Sequence, residues 1–259
     1  MGTFLFEDII FGPVKSRRLG VSLGINLLPV NKKICTFDCI YCECGFNNEH
    51  ADIKTQMPSK TEVLTRLKEV LVEMKHKESP LDVITFAGNG EPTIHKEFEE
   101  IIDGTIELRN HYYPKARIAV LSNSTLINKP NVFRALNKID DNILKLDSGL
   151  TDSIVMLDQP VAPFSLNDTV KNLKKFKGNL IIQTMFVKGT YKGNPIDNTT
   201  EEDITSWVKL IKEIAPKQVM IYTIERDTPI DELEKVSLAK LKEIALRIEN
   251  IGITTQVSG

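Results

Sequence analysis

Cysteine is the residue in this chain whose type and spacing most plainly could do chemistry. All four cysteines of the 259 residues fall in one decapeptide, Cys35-Thr-Phe-Asp-Cys39-Ile-Tyr-Cys42-Glu-Cys44. A disulfide framework would spread its half-cystines along the chain, and nothing else in the sequence marks it as secreted. A structural zinc ion could use the same thiolates. Zinc knuckles, however, usually set two C-x2-C pairs further apart, and donors this closely spaced would strain a tetrahedral shell. Three thiolates at C-x3-C-x2-C spacing can instead wrap one iron–sulfur cubane, which normally takes four. Three ligands leave one iron open, and an open position separates a catalytic metal site from a structural one. Cys44 then stands outside the set as a packed small residue, a redox bystander or a substrate-side thiol.

Several other groups could act beside that loop. In Gly88-Asn89-Gly90-Glu91-Pro-Thr93, two glycines let backbone approach a ligand and Glu91 offers an anion; taken alone, the string is an ordinary turn. Ser122-Asn123-Ser124 offers small polar side chains that suit a ribose and equally a helix cap. Lys145 and Asp147 alternate onto one face of an apolar run, where a buried ion pair is costly and a site role is favoured. Gln183 and Thr184, then Tyr222, Glu225 and Arg226, are candidates for contacts to a cofactor or substrate. Lys145, Asp147, Tyr222 and Arg226 are the candidates for catalysis itself. Arg17 and Arg18 could hold a carboxylate or phosphate in bidentate fashion, or form a solvated basic turn. His50 and His95 follow the cysteine loop and the Glu-Pro-Thr turn and read as supporting or exposed residues rather than ligands. His76 and His111 lie among charges and read as solvated.

Positioning these residues falls to alternating strands and helices. Val21–Leu28 alternates as a strand and Pro29 ends it, so the cysteine loop follows a strand's C-terminal end. Residues 60–77 place Val63, Leu64, Leu67, Val70, Leu71 and Met74 on one helical face. Strands are expected at 81–87, 118–121, 143–146, 180–187 and 218–223. Helices are expected near 96–109, 131–138 and 168–176, around Trp207, and around Leu241. Residues 253–257 could add a terminal strand. Residues 1–20 are expected to be an N-terminal arm, of which 4–20 could form an edge strand and turn. Residues 150–166, with Pro160 and Pro163, read as the longest irregular connection, of a kind that is often functional. Six strand–helix units imply an α/β fold with a parallel sheet and right-handed crossovers, in one domain over 1–259. In such folds ligands sit at the carboxyl ends of the strands.

Hydrophobic content of 41% and charged content of 26% are ordinary for a globular protein, and the net charge of −2 gives no global attraction to nucleic acid. Clustered free cysteines without an export signal point to a reducing cytoplasm, and no apolar stretch reaches membrane-spanning length.

The Cys35, Cys39, Cys42 triad, with Tyr41 before the third cysteine, resembles the signature loop of the radical S-adenosylmethionine superfamily. The resemblance implies an open partial (β/α)6 barrel and a [4Fe-4S] cluster on those cysteines. It also implies S-adenosylmethionine on the open iron, cleaved to a 5′-deoxyadenosyl radical that abstracts hydrogen from a substrate. Gly88-Asn89-Gly90-Glu91 resembles the family's Gly-Gly-Glu-Pro element, which meets the methionyl amino group, with Asn89 in place of the second glycine. Ser122 and Asn123 match the ribose-contacting element, and Tyr41, Asp147 and Gln183 join the cofactor candidates. The resemblance further implies an electron donor such as flavodoxin or ferredoxin. Among subgroups, the chain is most similar to enzymes related to wyosine-type tRNA modification, although it lacks their extra N-terminal cysteines. The substrate is therefore expected to be a small molecule or nucleotide. A tRNA is the alternative, with Arg17, Arg18, Lys32, Lys33, Lys171, Lys174, Lys175 and Lys177 as its phosphate footprint. A non-enzymatic metal-binding module is the third reading.

Overall fold

The computed structural model describes residues 3–47 and 55–259. His50 lies outside them. Strand β1 (Ile10–Ser16) runs antiparallel to β2 (Gly20–Ile25). From β2 the sheet is parallel through β3 (Val83–Phe86), β4 (Arg117–Ser122), β5 (Asp141–Lys145), β6 (Ile181–Tyr191), β8 (Gln218–Thr223) and β10 (Thr254–Ser258). Two short strands, β7 (Asn194–Asp197) and β9 (Leu233–Lys235), pair antiparallel with the extension of β6. Among the described residues the outer strands β1 and β10 do not pair with each other, so the curved sheet is an open barrel.

Helices cover the outer face: α1 (Lys60–His76), α2 (Phe98–Tyr112), α3 (Pro130–Lys138), α4 (Thr151–Asp158), α5 (Leu166–Lys174), α6 (Glu201–Ile214) and α7 (Leu238–Glu249). Local chemistry starts them. Ser59 and Glu62 form a reciprocal capping box on α1, and Ser165, Thr200 and Ser237 cap α5, α6 and α7.

Strand alternation separates two cores. Ile84, Val120, Leu144, Ile182 and Val219 pack outward against the helices. Val83, Ala119, Ile143, Ile181 and Met220 face inward and, with Leu19, close the barrel floor. Two residues further along those strands, the inward row is polar at Thr85, Lys145, Gln183 and Tyr222 and apolar at Leu121. The expected irregular stretch 150–166 contains α4. Ile154 and Leu157 bury its inner face, and Gln159 ends it in the left-handed region at φ 42° before Pro160. Eight residues of helix with two buried apolar side chains are too few for its periodicity to show in sequence.

Candidate active site

The cysteine loop is sewn to the barrel on both sides. Ile34 N–H donates to Asn89 O (2.9 Å) and Glu91 N–H to Ile34 O (3.1 Å), joining the loop to the turn after β3. Opposite, Asp38 N–H donates to Asp158 O (2.9 Å), Ile40 N–H to Leu157 O (2.9 Å) and Val161 N–H to Thr36 O (3.0 Å), joining it to the end of α4. Asn47 closes the loop on itself. Its Oδ1 accepts from Cys35 N–H (3.1 Å) and its Nδ2 donates to Cys35 O (3.2 Å) and Phe37 O (3.1 Å).

The result is one cavity of about 170 Å³ lined by Cys35, Cys39 and Cys42. Tyr41, Gly88, Gly90, Glu91, Ser122, Asn123, Lys145 and Gln183 also line it, together with Lys33, Phe37 and Leu121. The thiols are free. Among the described residues, no three His, Cys, Asp or Glu side chains converge on a point where a single ion would sit.

Charge in the chamber has the matching sign. Lys33 has a side chain only 2% exposed, and its ammonium donates to Gly45 O (2.6 Å) and Asp38 Oδ1 (3.1 Å). Burial alone would pull it down, but Cys42, Cys35, Cys39 and Asp38 together raise it, so it stays charged beneath the thiols. Burial pushes Cys35 up to about 12. Burial and then Asp158 push Cys39 up as well. Cys42 goes the other way, to about 6, chiefly because the Cys44 thiol hydrogen-bonds to it. Three thiols around a buried cation, each losing its proton to a metal, fit an anionic cluster.

Glu91 is 2% exposed, and its carboxylate is already engaged. Oε1 accepts from Thr93 N–H (3.1 Å), Thr93 Oγ1 (2.5 Å) and Ser122 Oγ (2.9 Å), and Oε2 accepts from Asn123 N–H (2.7 Å). Burial pushes the carboxyl up, against these hydrogen bonds. Glu91 therefore lines the chamber and braces the end of β4, with one face of Oε2 left for a ligand. Asn123 is divided likewise, its Nδ2 reaching Thr36 Oγ1 (2.7 Å) and Cys35 Sγ (3.5 Å).

Lys145 and Asp147 do share the inward face. Lys145 Nζ donates to Asp147 Oδ2 (3.0 Å) and to the Tyr41 hydroxyl, which lies within reach of both Asp147 and Asp158 (2.8 Å to Asp158). Asp158 Oδ1 also accepts from Cys39 Sγ (3.3 Å). Burial, then Asp147, pushes Asp158 up to about 7. The phenol carries one proton for two carboxylates, so this array can hold and pass protons beside the cysteines.

Other candidates sit elsewhere. Asn89 does not line the cavity, because its amide faces the N-terminal arm. Oδ1 accepts from Phe6 N–H (2.8 Å), and Nδ2 donates to Phe6 O (3.0 Å) and Pro29 O (2.9 Å). Arg226 is 63% exposed and pairs with Glu43 (2.8 Å) outside the chamber. Tyr222 is in the inward row under the Arg18 guanidinium, 4.5 Å from its ring centre. Glu225 pairs with Arg17 (3.0 Å). His95 is buried and bonds to Pro58 O (2.7 Å). Sequence reasoning did not single out Lys33 as a buried countercharge, nor Asn47 and Asp158. For Lys33 the signal was its place two residues before Cys35; for Asp158, none exists short of the fold.

The Radical SAM superfamily profile matches residues 33–189, more than half of the chain. A UPF0026 protein of Synechocystis sp. is 31% identical over 232 residues, which are 87% of this chain and 79% of that protein. The chain belongs to the radical SAM superfamily and to the UPF0026 family. Similarity also extends to a GTPase Obg of Brachyspira hyodysenteriae, 30% identical over 85% of this chain. This radical SAM protein spans only 30% of that relative's length. Among solved structures, a radical SAM methyltransferase from Sphaerobacter thermophilus superposes with a TM-score of 0.64 at 11% identity, covering 92% of this chain and 65% of that one. At that identity the likeness shows the fold, an open α/β barrel, and the site rests on this radical SAM protein's own residues.

Proposed function

We propose that this protein is a radical S-adenosylmethionine enzyme, with Cys35, Cys39 and Cys42 holding a [4Fe-4S] cluster and an organic substrate, a small molecule or nucleotide, bound beside it. One observation carries the reading. The three free thiols, Gly88, Gly90 and Glu91 of the turn after β3, and Lys145 line a single cavity at the strands' carboxyl ends, with Asp147 outside its wall and bonded to Lys145. When bound, the cluster supplies the one electron that cleaves S-adenosylmethionine to methionine and a 5′-deoxyadenosyl radical.

The chain's residues do the rest. Lys33 balances thiolate charge from below. The remaining lone pairs of Glu91 Oε2 and the backbone of Gly88 and Gly90 orient the methionyl group. Tyr41 and Lys145 stand at the cavity wall, hydrogen-bonded to Asp147 and Asp158 outside it, and the barrel excludes water. A flavodoxin or ferredoxin would deliver the electron. The residues suggested as a tRNA phosphate footprint do not favour that alternative: Lys33 is buried, Lys171 pairs with Asp168 (3.3 Å) and Lys174 with Glu213 (2.7 Å).

The test is anaerobic reconstitution with iron and sulfide, reduction with dithionite and chromatography of the nucleoside products. 5′-Deoxyadenosine is expected from the wild type and not from a Cys35→Ala, Cys39→Ala, Cys42→Ala triple variant. A complete, reducible cluster that yields no 5′-deoxyadenosine would overturn the reading.

A further inference from the structure

We propose that Arg18 receives an anionic group of the substrate, a carboxylate or a phosphate, at the seam where the barrel stays open. The inference rests on the proposed radical activity and adds the substrate's chemical class.

Of the eight arginines, seven form an ion pair within 4.0 Å, namely Arg17, Arg66, Arg109, Arg117, Arg134, Arg226 and Arg247. Arg18 alone has no carboxylate among the described residues. Its guanidinium meets the Tyr222 ring at 4.5 Å and Gln183 Oε1 at 3.4 Å. A guanidinium cannot shed its proton, and a half-buried one with a single long hydrogen bond keeps most of its five donors unspent.

The placement is built. Ser16 Oγ accepts from the N–H groups of Arg18 (3.3 Å) and Leu19 (3.2 Å), forming the β1–β2 turn. Leu19 fills the barrel floor, and Arg18 O accepts from Gln256 Nε2 of β10 (3.0 Å). The turn thus spans the gap that no strand pairing closes. Gln183 ties the position to the reaction chamber. It is 5% exposed and lines the cavity of the cysteines. Because Arg18 can only donate, it fixes the Gln183 amide with its oxygen toward Arg18, which leaves the NH2 donors for the chamber side. An anion held by the guanidinium would lie beside Gln183, whose amide N–H donors face the chamber.

The seam also gives a route in. Outside Arg18 its contacts among the described residues are Arg17 with Glu225 (3.0 Å), Arg226 with Glu43 (2.8 Å) and the Phe4 ring (5.5 Å), and one backbone bond from Phe4 N–H to Glu43 O (3.0 Å). Exposed ion pairs of this kind are weak and yield to salt. An entering anion can take the place of Glu225 or Glu43 before reaching Arg18.

Calorimetric titration of the reconstituted protein, without reductant, with ribose 5-phosphate and separately with succinate tests this. Saturable binding of the first marks a phosphate site, and of the second a carboxylate site. Arg18→Gln should weaken the bound probe about tenfold to a hundredfold, and Arg18→Lys by less. Gln183→Glu, which supplies the missing acid from within, should abolish binding with the arginine still present. Arg66→Gln, on the exposed side of α1, should bind as the wild type does. If Arg18→Gln does not fold, Arg18→Lys and Gln183→Glu carry the test. Wild-type affinity in Arg18→Gln or in Gln183→Glu, or no saturation of the wild type by either probe, overturns the site. Binding needs no turnover, so absent S-adenosylmethionine cleavage would overturn the activity and leave the anion site standing.

Discussion

At the scale of single residues, Cys44 and Glu91 separate ligands from supports. Cys44 does not line the chamber; its thiol lies 3.7 Å from Gly88 O and bonds to Cys42. Cys44→Ala should therefore keep the iron content and brown colour of the wild type after anaerobic reconstitution, whereas Cys39→Ala should lose both. Equal loss in the two variants would make Cys44 a ligand. Glu91→Ala strands the donors of Thr93, Ser122 and Asn123 in a buried site. Stranded charge-assisted bonds of this kind cost about 3 kcal/mol, or a melting temperature lower by roughly 6–12 °C. The same change should weaken S-adenosylmethionine binding roughly tenfold to a hundredfold if the free face of Oε2 meets the ammonium. Unchanged melting would remove the bracing role, and unchanged calorimetric affinity the ligand role.

At the scale of elements, the turn after β3 is a buckle between three chain segments. Gly90 has φ 130°, and a Cβ there would overlap the Ile34 carbonyl oxygen that receives Glu91 N–H. Gly90→Ala would force the cysteine loop away from the turn at a cost of about 1–3 kcal/mol in strain. The expected outcome is a lower yield of cluster on reconstitution; an unchanged yield would show that the loop holds its shape without the turn. Asn89 grips the arm from the same turn. Asn89→Gly, which restores the glycine of the family's quartet, removes three hydrogen bonds to Phe6 and Pro29. Amide exchange at residues 3–9 should then rise at least about tenfold, since one lost bond is worth about 1 kcal/mol or more. Exchange at the wild-type rate would mean that the aromatic stack of Phe4, Phe6 and Phe11 holds the arm by itself.

At the scale of the whole molecule, the open barrel concentrates its compliance in one wall. Parallel pairing joins β2 through β10 by backbone hydrogen bonds, while among the described residues no strand pairing crosses the gap from β1 to β10, which is bridged by side-chain contacts such as Gln256 Nε2 to Arg18 O. A double variant, Arg17→Gln with Arg226→Gln, removes two exposed pairs worth no more than about 1 kcal/mol each. Melting should shift by only a few degrees, roughly 2–4 °C per kcal/mol. Hydrogen exchange, in contrast, should accelerate at residues 3–9 and 223–228 and leave the strands β3 to β6 protected. Uniform acceleration across the sheet would show that the seam is an integral wall instead.

How much of this was legible in the sequence follows from the range of the forces involved. The C-x3-C-x2-C spacing, the helical face of Val63, Leu67, Leu71 and Met74, and the inward pairing of Lys145 with Asp147 are local. They depend on the chain's own periodicity, so the sequence by itself determined the alternating α/β order, the cysteine loop at a strand end and the family resemblance. Helix α4 was not legible, since two buried residues make no period. Neither were the destinations of side chains whose partners lie far along the chain. Only the tertiary structure turned Asn89 to Phe6, 83 residues away, and brought Asp158 to Cys39 across 119. It alone divided Arg17 and Arg18, adjacent in sequence, between a surface pair with Glu225 and a lumen contact with Gln183. Residue type specifies what a group can bond to; burial and the approach of distant backbone decide which of those bonds is made.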